Sequence, residues 1–361
     1  MDEEGNESTT QLADNQPQID TPIRILIPSG TNAPARANTS CRDDFIRTNA
    51  FSPAAFTVAI ASNNTNLGPN TRLPSLNTTL KGSDTDAKIM TAIHDYTVLA
   101  FSSHRAGKRE VEGSAYISLA VIHDNLGNLK AGIENYRNYL NICKEINDTT
   151  GEGAACNCLG VNFMILACPS SDAGFLNGFQ KSKQSVEYID QAIKYHEQHL
   201  SVSDSGGQFV AHINLGLCYG VKGDYATAAK HNQSALRIAI RMQTLYGQSI
   251  SVGNLGMLAT LKADYKTSRT CFEQHLQLVQ SLHDVEGEIN AWKMLAKLST
   301  LQDQFEDALE LLDNAQRIAS KHEFFNELRS ILCLMGIARA SADFNRYSVE
   351  LVEKSLAEGM S

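Results

Sequence analysis

The fold is decided by a stretch that the chain states twice. His212 to Ala239 reads HINLGLCYGVKGDYATAAKHNQSALRIA, and Val252 to Val279 reads VGNLGMLATLKADYKTSRTCFEQHLQLV. Each copy begins near Asn-Leu-Gly, continues with a small residue followed by Asp-Tyr, and ends with a leucine that completes an apolar stripe. The two glycines, Gly216 and Gly256, lie forty residues apart. A fixed interval of this length is typical of a protein built from stacked structural repeats.

The slot of these two glycines recurs along most of the chain. It serves as the reference position of each repeat, and it is occupied in turn by Ala120, Gly160, Gly216, Gly256, Ala296 and Gly336. A leucine or methionine precedes each reference residue, and a bulky or apolar residue lies four positions before it. Because residues three and four apart share one face of a helix, the pattern predicts that each repeat begins with an amphipathic helix.

A turn and a second helix follow each first helix. The turns are expected seven residues after the reference position, at Gly127-Asn128, Gly223-Asp224, Ala263-Asp264, Asp303-Gln304 and Asp343-Phe344. Glycine suits the end of one helix and a short polar residue the start of the next. The unit is therefore a pair of antiparallel helices, and the small reference residue lets their backbones approach closely. One pair cannot bury its own apolar face, so the next pair stacks on it.

The sequence therefore predicts an all-α fold. We expect a right-handed superhelix, or α-solenoid, of about six helix-turn-helix repeats over residues 86–361, with a lone second helix ahead of the first repeat. The second repeat spans 56 residues instead of 40, and Pro169 marks the start of an insertion at about 168–186. Two interpretations of the insertion remain open: a tolerated surface loop, and a contact or lid specific to a partner.

Residues 1–85 differ in composition from the repeats. Seven of the eight prolines lie between positions 17 and 74, among many Asn, Thr and Ser residues and without a helical period. This composition predicts an extended or disordered N-terminal arm without a core of its own. It is either a floppy tail or an arm that becomes ordered on a partner, with 23–27 and 51–60 as apolar anchors.

Charge and composition exclude several classes of function. The formal net charge of −9 disfavours binding to nucleic acid, which needs a basic surface. No stretch approaches 18 apolar residues, so we expect no membrane insertion. The acidic start MDEEGNESTT lacks the apolar core of a signal peptide, so we expect a cytoplasmic protein. Eight cysteines spread over 361 residues do not form a dense disulfide framework.

The sequence shows little sign of catalytic chemistry. Cys156-x-Cys158 has no second ligand pair near it, so both cysteines are expected to be core residues. His196 and His199 have no third ligand beside them and are expected on a solvated helix face. No glycine-rich phosphate loop and no ordered catalytic triad is evident. We therefore expect no enzyme, no cofactor and no metal, although distant residues can assemble an active site.

The repeat resembles that of the tetratricopeptide-repeat family. The matching residues in the third and fifth repeats are Leu215, Gly216, Tyr219, Ala228, Ala235, Trp292, Leu295, Ala296, Ala308 and Ala315. The period of forty, with Asn-Leu-Gly and a closing Asp-x-x-Gly-Glu at 284–288, resembles the long-repeat branch of this family. That branch includes G-protein signalling modulators and ciliary tetratricopeptide proteins. The resemblance covers residues 86–353.

The resemblance implies a groove and the residues that line it. In this family the first helices line a concave groove that holds an extended or helical peptide of a protein partner. The residues expected to bind the partner are Asn214, Asn254, Asn290, Lys293, Lys297, Ile213, Leu217 and Met257. Asparagine can bond a peptide backbone, and lysine favours an acidic ligand. The alternative for Asn214 and Asn254 is that they pair within the stack.

Together these observations predict a non-catalytic scaffold that binds protein partners through its groove and its N-terminal arm. By analogy with family members, it is expected within a larger assembly, such as the microtubules of a ciliary axoneme, with a cytoskeletal location. One alternative is a soluble cytoplasmic signalling adaptor with a regulated peptide groove. Another is an accessory subunit of an enzyme.

Overall fold

The structure is a computed structural model that describes residues 83–167 and 182–359. Within these ranges the chain forms helices joined by short turns, without a strand. The helices are α1 Ser83–Arg105, α2 Arg109–Asn125, α3 Leu129–Ile146, α4 Thr149–Ala167, α5 Lys183–Val202, α6 Ser205–Lys222, α7 Tyr225–Arg241, α8 Leu245–Leu261, α9 Tyr265–Ser281, α10 Val285–Leu301, α11 Phe305–Lys321 and α12 Phe325–Gly359.

The helices form consecutive pairs. The pairs α2–α3, α4–α5, α6–α7, α8–α9 and α10–α11 are repeats 1 to 5, and each helix packs chiefly on its neighbours along the chain. Helix α1 lies before the first pair and packs on α2, as expected of a lone second helix. The all-α solenoid predicted from the sequence is confirmed. Two predicted segments lie mostly outside the described residues. They are the arm, of which residues 1–82 are not described, and the insertion, of which residues 168–181 are not described.

Local chemistry explains where the pairs turn. The predicted turn residues Gly127, Gly223, Ala263 and Asp303 all have positive φ angles, between 57° and 88°. This left-handed conformation ends the first helix and reverses the chain. The second helices of repeats 3 and 4 then begin at aspartates: the side chain of Asp224 accepts a hydrogen bond from the backbone N–H of Thr227, and Asp264 does so for Thr267. Such a cap stabilises a helix by about 1 kcal/mol.

The sixth repeat departs from the prediction. Helix α12 continues without a break from Phe325 to Gly359, so the turn expected at Asp343-Phe344 is wrong. The residue that starts the second helix is Asn128, Asp224, Asp264 or Gln304 in the other repeats joined by a short turn. Phe344 takes that slot in α12 and has no side-chain oxygen to accept a backbone N–H. Over residues 83–167 and 182–359 the chain therefore forms α1, five helix pairs and one long helix.

The core is divided along the stack. One large cluster of buried apolar residues runs from α2 to α7 and includes Tyr136, Leu159 and Leu215. A second cluster around Phe272 joins α9 to α10, and a third around Leu312 joins α10, α11 and α12. Helix α8 contributes Ile250 to the edge of the first cluster and Met257 to the edge of the second. Trp292 packs against the second and third clusters, in agreement with its predicted core slot.

The reference glycines permit close helix crossings. A Cβ atom added at Gly256 would lie 2.6 Å from the Cε1 atom of Phe272, and one added at Gly160 would lie 2.5 Å from the Cε1 atom of His196. Both approaches are closer than any real Cβ contact, so only glycine fits at these two crossings. The predicted role of the small reference residue is confirmed there.

Candidate protein-binding surface

The two asparagines expected on the groove lie inside the stack. Asn214 is 6% exposed, and its Nδ2 atom donates a hydrogen bond of 2.9 Å to Oδ1 of Asn157 on α4. Asn254 is 2% exposed, and its Nδ2 atom donates a bond of 3.0 Å to Oδ1 of Asn232 on α7. Each amide therefore links its own first helix to the preceding repeat. The sequence left open whether these two asparagines line the groove or pair within the stack. In the structure both pair within the stack.

The apolar residues of the expected site divide into two groups. Ile213 and Leu217 are buried members of the large core cluster. Met257, in the repeat that follows, is only half-buried at the edge of the second cluster. Ile213 and Leu217 thus hold the stack together, whereas Met257 also reaches the surface.

The two lysines of α10 have different surroundings. The Nζ atom of Lys293 lies 2.6 Å from Oε2 of Glu327 on α12, in an ion pair between neighbouring first helices. Lys297, one turn further along α10, is exposed and has no hydrogen bond or ion pair within the described residues. Partial desolvation of its ammonium, followed by repulsion from Lys293, lowers the pKa of Lys297 below the ordinary value. Lys297 is therefore the cation of this pair that remains available to a ligand.

Asn290 begins the same face of α10. It lies three residues before Lys293, is largely buried, and makes no side-chain hydrogen bond within the described part of the chain. Its amide differs in this respect from those of Asn214 and Asn254, which are committed to partners inside the stack.

One repeat slot shows how the surface opens toward the C-terminal repeats. The slot directly after the reference position holds Val121, Val161 and Leu217 in repeats 1 to 3, and all three are buried. In the next three first helices it holds Met257, Lys297 and Ile337, which are half-buried, exposed and 58% exposed respectively. Leu301, four residues after Lys297, is also exposed. We name Met257, Lys297, Leu301 and Ile337 the open face.

Several buried polar side chains are not evident from the sequence pattern. Asn162 on α4 donates a hydrogen bond of 2.7 Å to Oδ1 of Asp124 on α2, and burial raises the pKa of Asp124 to about 7. His196 is fully buried against Gly160, neither ring nitrogen has a hydrogen-bond partner, and burial lowers its pKa to about 3. His199 is buried as well, so the solvated helix face expected for the two histidines is wrong.

The described residues also bear on whether the chain could hold a metal ion. Cys156 and Cys158 are buried free thiols, as predicted for core residues. Among the described residues, no group of three or more His, Cys, Asp or Glu side chains is placed to hold a metal ion. None of the helices in the described ranges has a stretch long and apolar enough to cross a bilayer. The position of Asp124, four residues after the reference and on the buried side of α2, is the sequence signal that could have identified it as internal.

The chain is similar to several solved structures at low sequence identity. No protein-family model and no curated protein matches the chain. Among solved structures it is similar to BtubC (BKLC) from P. vanneervenii, with a TM-score of 0.49 and 17% identity over 67% of this chain and 93% of that one. PilW, a type IV pilus biogenesis factor, gives a TM-score of 0.44 and 14% identity over 70% of this chain and 100% of that one.

A third similar structure contains a tetratricopeptide repeat. It is a signal transduction ATPase from Pyrococcus horikoshii with a tetratricopeptide repeat sensor, at a TM-score of 0.48 and 17% identity over 75% of this chain and 43% of that one. On its own stacked helix pairs, the described part of the chain is a helical repeat protein, the architecture implied by the resemblance to tetratricopeptide repeats.

Proposed function

We propose that this chain is a non-catalytic scaffold that binds a protein partner along the open face. The observation that carries the proposal is the change in one repeat slot from buried in repeats 1 to 3 to accessible in the helices that follow. Met257, Lys297 and Ile337 hold this slot in three successive first helices. A partner segment that runs along the stack would meet them one after another.

The chemistry of the open face favours a ligand with one acidic side chain between apolar ones. Met257, Leu301 and Ile337 offer apolar surface around Lys297. The ammonium of Lys297 is partly desolvated and makes no direct ion pair within the described residues; the carboxylate of Glu327 acts on it only at longer range, so a carboxylate from the partner would supply a direct ion pair. Lys293 contributes less charge to the ligand because Glu327 already neutralises it.

Asn290 is the residue that keeps the backbone-binding role in this proposal. It lies on the same face as Lys293 and Lys297, and its side-chain amide can both donate to and accept from a peptide backbone. Asn214 and Asn254 could take that role only by breaking their buried bonds to Asn157 and Asn232. In the proposal these two residues, with Ile213 and Leu217, fix the stack behind the binding surface.

The experiment has two stages. The full chain is used as bait, and chemical cross-linking with mass spectrometry identifies the bound protein and the residues that it contacts. The affinity of that protein is then measured for the Lys297→Ala and Ile337→Asp variants and for a control, Lys230→Ala. Lys230 is exposed on α7, away from the open face.

The two variants have distinct expected results. Lys297→Ala weakens binding about threefold to tenfold at low salt and much less at high salt, because screening already reduces the charge interaction. Ile337→Asp weakens binding at both salt concentrations, since it places a charge against apolar ligand surface. Lys230→Ala leaves the affinity unchanged. Parental affinity in both open-face variants would place the binding surface elsewhere.

Membership of a ciliary or other cytoskeletal assembly stays a prediction from the resemblance, and a cytoplasmic signalling adaptor is its alternative. The location of a tagged full-length copy in ciliated cells separates the two. Signal along the axoneme supports the first, and diffuse cytosolic signal supports the second.

A further inference from the structure

The first half of α12 has an exposed strip, formed by Leu332 and Gly336, on which a second helix could pack. No described part of the chain covers this strip, which we name the seat. In repeats 1 to 5 the reference residue is buried, and the reference glycines of repeats 2 to 4 lie against the second helix of their own pair. The reference residue of α12, Gly336, is exposed, and a Cβ atom added to it would meet no atom within 4 Å. Leu332, one turn earlier on the same face, is 50% exposed. The glycine that permits a close helix crossing is thus present without a helix to cross.

The second half of α12 carries the side-chain pattern of the missing helix. In repeats 1, 3, 4 and 5 the residues twelve and sixteen positions after the reference are buried, with the second of each pair at most 2% exposed. These residues are Gly132 and Tyr136, Ala228 and Asn232, Ser268 and Phe272, and Ala308 and Leu312. The corresponding residues of α12 are Ser348 and Val352, and Val352 is 58% exposed.

One continuous helix cannot bring these two halves together. Gly336 and Val352 are sixteen residues apart, which corresponds to about 24 Å along a helix axis. A fold-back at Asp343-Phe344 would start the second helix at Phe344, whose side chain cannot cap it as Asp224 and Asp264 cap theirs. The seat and the segment that would cover it, the second half of α12, therefore belong to one continuous helix. That helix keeps them apart within a single copy of the chain.

We propose that two copies of this chain pair through α12 in antiparallel orientation, with Val352 of each copy packed over Gly336 of the other. The register follows from repeat 4, where Phe272 lies over Gly256 and Ser268 Oγ lies 2.6 Å from Thr260 Oγ1. The equivalent pairs in α12 are Val352 with Gly336, and Ser348 with Ala340. The two-fold axis then passes at Phe344, which is 68% exposed in one copy.

This arrangement gives each copy the helix pair that its own sixth repeat lacks. The second half of α12 from one copy takes the place of the fold-back helix in the other, which is the logic of an exchanged element between identical chains. Both seats are filled by the same contact made twice, so the interface is closed and stops at two copies. The proposal concerns self-association and does not depend on the open face.

The test measures the molar mass of the full chain by light scattering over a wide range of protein concentration. We expect a dimer for the parent chain and a monomer for Val352→Lys, because a lysine there places a charge in the seat. The control Glu350→Lys adds the same side chain to the same turn, at a slot that is exposed in Glu134, Lys230, Thr270 and Glu310. It remains a dimer. Val352 is exposed in one copy, so circular dichroism should show that its variant stays folded.

Two further variants test the register and the alternative fold-back. Phe344→Cys, at the axis, forms a disulfide with its own counterpart under mild oxidation, beyond the background given by the exposed Cys333 of the parent. The double variant D343G/F344D installs the Gly-Asp turn of repeat 3 and becomes a monomer with a folded-back pair. A parent that is monomeric at every concentration would overturn the proposal. So would a Val352→Lys dimer, or a Phe344→Cys variant that gains no cross-link over the parent.

Discussion

The side-chain amide of Asn214 donates its hydrogen bond to Asn157 across the boundary between the second and third repeats. Both side chains are buried, among residues that are otherwise mostly apolar. A hydrogen bond has a narrow range of distances and angles, whereas apolar contacts tolerate small slips. The pair therefore favours one register between α4 and α6. The bond between Asn254 and Asn232 has the same effect at the next boundary.

Replacement of Asn214 by alanine should destabilise the stack. Asn157 would lose its partner while it stays buried, which costs about 1–3 kcal/mol. Urea unfolding of the variant and of its parent measures the difference. The control is Asn314→Ala, since Asn314 is only half-buried and bonds only within its own helix; its effect should stay within about 0.5 kcal/mol. Equal stability of Asn214→Ala and the parent would contradict a role for this bond in the stack.

Two glycines three residues apart on α8 should respond to alanine with opposite signs. At Gly256 the new Cβ atom would lie 2.6 Å from Phe272, and overpacking of this kind costs about 1–3 kcal/mol. At Gly253 the nearest atom is Nδ1 of His275 at 3.5 Å, an ordinary contact. Gly253→Ala should therefore stabilise the helix by about 0.5–1 kcal/mol. Thermal melting decides the signs, and a shared direction would mean that the two slots are equivalent.

His196 makes the stability of the protein sensitive to acid. Its pKa is about 3 in the folded state and near 6.5 in the unfolded chain, so only the unfolded chain takes up the proton between these values. The stability contributed by neutral His196 is complete above pH 6.5 and is lost as the pH falls toward 3. His196→Leu removes this loss and two unbonded ring nitrogens. The variant should lose less stability than the parent between pH 7 and pH 5, as measured by urea unfolding.

Asp124 acts in the opposite direction. Its pKa is raised to about 7, mainly by desolvation, from an ordinary value of 3.8. The folded protein therefore retains a proton that the unfolded chain releases, and stability falls as the pH rises from about 4 to about 7. Asp124→Asn keeps an oxygen to accept the bond from Asn162 and removes the charge. It should exceed the parent in stability by about 1–3 kcal/mol at pH 8, and by much less at pH 4. An advantage independent of pH would show that Asp124 does not titrate in this range.

The sequence predicted the repeats well because their signals are local. The forty-residue phase, the small reference residues and the turns at Gly223-Asp224 and Ala263-Asp264 all depend on neighbours within one helix pair. The turn at Asp343-Phe344 was predicted from the period alone, although Phe344 is apolar where the other turns have a polar residue. At this position the identity of Phe344 would have predicted the continuous helix better than the forty-residue period did.

The predicted site residues show where sequence reasoning stops. From the sequence of one helix alone, an exposed polar residue looks the same as a polar residue that is hydrogen-bonded to a buried partner. The partner of Asn214 is 57 residues away, and Lys293 meets Glu327 on the helix that follows the intervening α11. The exposure of Lys297 and Ile337 likewise depends on how far successive helices close over one slot. These distances are properties of the stack, and no single repeat contains them.

The division of the core around α8 has a consequence for how the molecule responds to a bound partner. Stability in a stacked repeat protein is a sum of terms for each repeat and for each boundary, so separate apolar clusters can open as separate cooperative units. Helix α8 touches the large cluster through Ile250 and the next one through Met257. A ligand on the open face would slow hydrogen exchange mainly from α8 to α12 and leave α2 to α7 nearly unchanged. Binding of a ligand would then change the dynamics of the C-terminal helices only, and the N-terminal helices would remain available for a different contact.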